Sequence, residues 1–113
     1  MNTKVTLQNP KYQTCIDACC VCYEACEACC TSCLSNKKVG TMTRCIMIAR
    51  DCADMCCTAM CSMSRGSEYA RQCCNVCADI CDACADECEK FSSMEECKQC
   101  ADACRNVLKN VVI

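Results

Sequence analysis

The sequence predicts an all-α protein: an antiparallel up-down four-helix bundle with a cysteine-lined core. Three observations predict it. First, Cys15, Cys19, Cys22, Cys26, Cys29 and Cys33 step by 4, 3, 4, 3 and 4 residues. This is the seam that a bundle helix turns toward its partners. Second, the chain of 113 residues holds only two glycines and one proline, and these lie between the cysteine-bearing segments or ahead of the first. Third, the joins between those segments are short, which makes antiparallel neighbours the default.

Each element has its own signal. Asn9-Pro10 reads as an N-cap followed by the first helical residue, so a helix is expected from about Pro10 to Ser35, roughly 39 Å long at 1.5 Å per residue. Ser35 to Gly40 is a loop, and Thr41 is expected to cap a second helix that runs to about Ser64. In Arg65-Gly66-Ser67, Gly66 suits a left-handed position just past a helix end and Ser67 an N-cap. A third helix then covers about Glu68 to Phe91. Ser93 and Glu96 have the spacing of a capping box, which starts a fourth helix at Met94 and carries it to about Asn110. Residues 1–9 are a tail, and residues 10–113 form one bundle domain.

Composition narrows the function classes. Twelve basic and 14 acidic residues give a net charge of −2, with no basic stripe for nucleic acid and no acidic tail. No apolar run of 18 residues free of charge predicts a membrane span. The first eight residues carry Lys4 and no apolar stretch, so they do not read as a secretory signal. The expected location is the cytoplasm, with an exported form lacking a removed leader left open. An enzyme is disfavoured, because there is no histidine and no other base is paired with a nucleophile.

One Phe, three Tyr and no Trp would make a poor core for a domain of this length. The 22 cysteines are the only residues numerous enough to fill it. The first helix carries Cys15, Cys19, Cys20, Cys22, Cys26, Cys29, Cys30 and Cys33. The second carries Cys45, Cys52, Cys56, Cys57 and Cys61. The third carries Cys73, Cys74, Cys77, Cys81, Cys84 and Cys88. The fourth carries Cys97, Cys100 and Cys104. All are candidate metal ligands. Two or three of the adjacent partners Cys20, Cys30, Cys57 and Cys74 are expected to be packing residues only.

Spacing separates a metal store from a disulfide scaffold. Residues four apart on a helix have Cβ atoms about 5–6 Å apart, whereas a disulfide needs about 3.5–4.5 Å. A metal ion with bonds of about 2.3 Å to two thiolates spans roughly 4.6 Å when linear. Soft thiolates select Cu(I), zinc or iron–sulfur clusters. Cu(I) accepts two or three sulfurs and suits a file of thiols. Zinc prefers four ligands, often with histidine, and iron–sulfur clusters need four cysteines round a defined cavity. Buried net charge is costly, so one Cu(I) per bridging thiolate, on the order of 20 ions, is the neutral filling. The alternative is a zinc or mixed-metal thiolate sink for detoxification or redox buffering.

The sequence resembles the bacterial copper storage proteins over roughly Tyr12 to Val107. The carrying stretches are Cys15 to Cys19, Arg50 to Cys56, Cys77 to Cys84 running on to Glu87-Cys88, and Cys97 to Cys104. The resemblance implies Cu(I) storage by inward thiolates and commonly a homotetramer, and the cysteine complement resembles that of the cytosolic members. Those relatives often place histidines where this chain has Phe91 and Glu96. Met42 and Met94 each lie three residues before a cysteine, on its face. Some relatives use Met at the mouth, so Met42 and Met94 are expected to form a thioether mouth for Cu(I). Tyr12, Met60, Met63, Tyr69, Leu108 and Val111 are expected to plug the opposite end.

Overall fold

A computed structural model describes residues 12–111. The Asn9-Pro10 start and the 1–9 tail lie outside the described residues. Four helices follow one another: α1 (Tyr12–Leu34), α2 (Thr43–Ser64), α3 (Ala70–Glu89) and α4 (Glu95–Asn110), with a 3-10 turn at Val39–Thr41 before α2. Each helix packs against its two neighbours, α1 on α2 and α4, α3 on α2 and α4. This is the square arrangement of an up-down bundle.

Every helix turns one heptad seam inward. On α1 the seam is the six cysteines from Cys15 to Cys33, all buried. On α2 it is Cys45, Ala49, Cys52, Cys56, Ala59 and Met63, again at steps of four and three. On α3 it is Ala70, Cys74, Cys77, Cys81, Cys84 and Cys88. On α4 it is Cys97, Cys100, Cys104 and Val107. The spacing that fixes helix packing thus also fixes which sulfurs face the axis.

The joins follow the sequence in part. Gly66 has φ 64°, and the N–H groups of Ser67 and Gly66 bond to the carbonyls of Ser62 and Met63 at 2.9 and 3.2 Å. This is a Schellman motif that closes α2. Three capping expectations are corrected. Thr41 does not cap α2; its hydroxyl donates back to the Lys38 carbonyl at 2.7 Å, inside the 3-10 turn. Ser67 accepts the Tyr69 N–H at 3.0 Å, which orders the turn ahead of α3 rather than its first residues. Ser93 and Glu96 form no capping box, because Glu96 instead accepts the Ser32 hydroxyl at 3.0 Å across the α1–α4 boundary.

The two ends of the bundle differ. The end holding the α2–α3 join is apolar: Met63 and Val107 are fully buried, with Ala59 and Ala70 beside them in the sequence seams. Tyr12, Met60, Leu108 and Val111 pack against this core. Tyr69 does not join the plug; it is exposed, because it precedes α3 and points off the seam.

Candidate metal centre

Among the described residues no cysteine forms a disulfide, and 18 of the 22 are buried. Between the plug and the far end their sulfurs touch in a continuous file. Cys19, Cys56 and Cys77 have their Sγ atoms within 4.8 Å of one another. So do Cys22, Cys52, Cys56 and Cys81; Cys22, Cys26, Cys52 and Cys104; Cys26, Cys84, Cys100 and Cys104; and Cys29, Cys33, Cys45 and Cys97. Neighbouring groups share members: Cys22 and Cys52 belong to two, as do Cys26, Cys56 and Cys104. Shared sulfurs are the geometric requirement for bridging thiolates.

The contacts cross the bundle in every direction. Cys22 and Cys104 lie 3.5 Å apart between α1 and α4, and Cys52 and Cys81 3.6 Å apart between α2 and α3. The diagonals are also closed: Cys29 to Cys88 is 3.9 Å and Cys52 to Cys104 is 3.8 Å. Within single helices, the pairs Cys22/Cys26, Cys77/Cys81 and Cys84/Cys88 each stand at 3.9 Å. Three sulfurs at bonds of about 2.3 Å round one ion lie roughly 4.0 Å apart. The resting spacing therefore fits three-coordinate ions bridging helices better than the linear pairs that the sequence suggests.

Not every cysteine joins the file. Cys20 and Cys61 are exposed, and Cys57 and Cys73 are half-buried. Each sits one residue off its helix's seam or on the outer face. Of the four expected among the packing residues, Cys30 and Cys74 are buried, whereas Cys20 and Cys57 are not. Cys74 meets Cys15, whose hydrogen bond is the largest influence raising its pKa. Cys30 donates to the Ile46 carbonyl at 3.6 Å rather than to another sulfur.

Thiol acidity follows the hydrogen bonds. Cys104 is raised, first by its hydrogen bond with Cys100, whereas Cys22 is lowered, first by its hydrogen bond with Cys104. Of a bonded pair, one sulfur holds the proton and its partner ionises more readily. Near the far end, burial pushes Cys30 up to about 11, helped by Glu27. Burial also pushes Cys33 up to about 12, with the Cys97 hydrogen bond second.

The far end opens on a cavity of about 500 Å³ lined by Met42, Met94, Phe91 and three lysines, Lys37, Lys38 and Lys90. Met42 is buried; Met94 is half-buried, and its Sδ accepts a hydrogen bond from the Asn36 amide at 3.6 Å. Both expected methionines thus stand at one opening. Sequence reasoning missed Glu87, a buried carboxylate held by Lys90 at 3.0 Å and Arg44 at 3.4 Å. It precedes Cys88 directly and locks the α3 end to the α2 start. Its place off the cysteine seam gave no signal of burial.

Comparison with known proteins gives a consistent answer. The family model for the copper storage protein, Csp, matches residues 8–111. The uncharacterized cysteine-rich protein YhjQ of Bacillus subtilis (strain 168) is 40% identical over 91 residues, covering 80% of this chain and 83% of that protein. The Cu(I)-bound copper storage protein BsCsp3 superposes with a TM-score of 0.84 at 37% identity, covering 88% of this chain and 93% of that one. A cytosolic copper storage protein from Streptomyces lividans, loaded with five coppers, gives a TM-score of 0.84 at 38% identity and 88% coverage of both chains.

Proposed function

The chain belongs to the copper storage protein family, and from that premise we propose that its inward thiolates store Cu(I) at about one ion per buried cysteine. The observation that carries the stoichiometry is the sharing of sulfurs between adjacent groups. An isolated Cu(I) on three unshared thiolates is a dianion, and burying several such units in one dry core is strongly unfavourable. Bridging makes each added ion neutralise one thiolate, so filling continues until sulfur and metal match. Eighteen buried thiols set the core capacity near eighteen.

The four-sulfur groups also fit the shape of a zinc site. A zinc ion on four thiolates is again a dianion, and of the four-sulfur groups named only three can be filled without sharing a sulfur. Electroneutrality thus favours Cu(I) for a full core and limits zinc to a few ions. Titration of the reduced apo chain with Cu(I) against a competing chelator, in the absence of air, tests the capacity. Saturation near eighteen in the core supports it. Saturation at only a few ions, or tighter retention of zinc than of Cu(I), overturns it.

The cavity beside Met42 and Met94 is the loading mouth in this proposal. Soft thioethers suit a transient Cu(I) stop between solvent and Cys45 or Cys97. The reading also includes one bundle domain over 10–113 after a short tail, a storage role without catalysis, a cytoplasmic location and a homotetramer. No helix among the described residues is long and apolar enough to cross a membrane. Val21, Leu34, Met47 and Val76 are exposed apolar side chains that subunit contacts would cover. Sedimentation of apo and loaded protein checks the tetramer.

A further inference from the structure

The four cysteines outside the core are not equivalent. Cys20 is exposed and Cys73 half-buried, on different helices. Cys57 and Cys61 stand four residues apart on the outer face of α2, and both line one surface groove of about 480 Å³ with Tyr23, Asp54, Thr58 and Arg65.

We propose that Cys57 and Cys61 form a separate surface site for one Cu(I), held by two thiolates and open to ligand exchange. Their helical spacing places the Cβ atoms about 5–6 Å apart, too far for a disulfide between them. A near-linear S–Cu–S unit of roughly 4.6 Å fits that spacing. The site cannot merge with the core file. Cys56, the residue before, turns inward and lies 3.7 Å from Cys77, so adjacent residues on one helix face two different metal environments.

The chemistry of the site differs from the store. Two thiols lose two protons and gain one monovalent ion, which leaves a unit of charge −1. In the core that charge would demand bridging; at the surface water solvates it, and Arg65 shares the groove. A two-coordinate ion with an open side is attacked readily by an incoming thiolate, the associative route that thiol exchange follows. The site therefore suits hand-over of Cu(I) to or from a dissolved thiol, while the core suits retention.

This inference takes only the identity of the metal from the storage proposal. Its test is Cu(I) titration of wild type and of Cys57→Ser, Cys61→Ser, the double variant and Cys20→Ser, each checked for unchanged helicity. Removal of copper by excess glutathione is followed alongside. Either single substitution should abolish one equivalent, the same loss as the double variant, and should remove the fastest-released ion. Cys20→Ser should change neither. In parallel, maleimide mapping of wild type by mass spectrometry should show Cys57 and Cys61 protected together when copper is present and Cys20 still labelled. Unchanged capacity in the double variant, or equal labelling of Cys57 and Cys20 in loaded protein, overturns the site. In that case the core capacity would persist, whereas failure of the storage proposal would abolish the core equivalents in every variant.

Discussion

The two ends of this bundle are built on the same seam and do opposite things. At the end with the α2–α3 join, the inward positions are Ala59, Met63, Ala70 and Val107, and the helices meet as in any apolar core. At the other end the inward positions are Cys29, Cys33, Cys45, Cys88 and Cys97, beneath a cavity lined by methionine and lysine. Heptad spacing decides that a side chain faces inward. Residue type then decides whether it supplies cohesion or capacity. The plug gives the apo bundle a dry anchor, and the thiol file can wait empty because that anchor does not depend on metal.

Loading gives the largest effect. Reduced apo protein should be helical, and Cu(I) should stabilise it steeply. One ion at a thousandfold excess over its Kd adds about 4 kcal/mol, roughly 15–30 °C for a domain of this size, and several ions add more. Thermal melts of apo and loaded protein check this. A disordered apo chain would erase the difference between the ends, since both would then need metal. Substitution separates them next. Met63→Ala should cost about 2–5 kcal/mol of apo stability and leave the Cu(I) count unchanged. Cys52→Ala, which removes a sulfur shared by two groups, should lower the count with a smaller stability loss. Denaturant melts paired with chelator titrations read both.

These contrasts show how much was legible beforehand. The α1 seam, the four helices and the left-handed Gly66 follow from spacing and residue type alone. The outward cysteines were legible too, had the register been carried through α2: Cys45, Ala49, Cys52, Cys56, Ala59 and Met63 keep the heptad. Cys57 and Cys61 then share a face with Arg50 and Asp54, both exposed. Treating every thiol as core obscured this. Other features depend on partners distant in sequence. Glu96 serves Ser32 from α1, and Glu87 is buried only because Arg44 and Lys90 converge on it. Local capping rules do not contain that information.

pH distinguishes the empty file from the filled one. Cys30 is raised to about 11 and Cys33 to about 12 from an ordinary 9.0, in both cases chiefly by burial. Between 9 and those values the unfolded chain has released protons that the folded chain still binds. These two thiols should therefore make stability fall as pH climbs from 9 toward 12. Loaded protein should show little loss over that window, because its thiolates carry metal rather than protons. Denaturant midpoints at pH 7, 9 and 11 test it; parallel loss in both forms would remove the distinction. At the mouth, Met42→Leu with Met94→Leu should slow Cu(I) loading several-fold while final capacity holds. Stopped-flow loading at fixed donor concentration reads the rate, and an unchanged rate would leave the methionines as packing alone.

The smallest contrast lies in the two glycines, one at each end. Gly66 sits at φ 64° and closes α2, its N–H bonding to the Met63 carbonyl while the Ser67 N–H bonds to that of Ser62. A side chain there meets the left-handed penalty of about 1–2 kcal/mol, so Gly66→Ala should lower apo stability by about 1 kcal/mol. Gly40 opens no such constraint: its φ is not positive, and a Cβ there meets nothing within 4 Å. Gly40→Ala should be neutral or stabilise by several tenths of a kcal/mol, because it restricts only the unfolded chain. Equal losses at both positions would mean that the mouth-end turn is as constrained as the plug-end link. A larger loss at Gly66 would place the rigid join beside the plug and leave the turn ahead of α2 free to admit substitution.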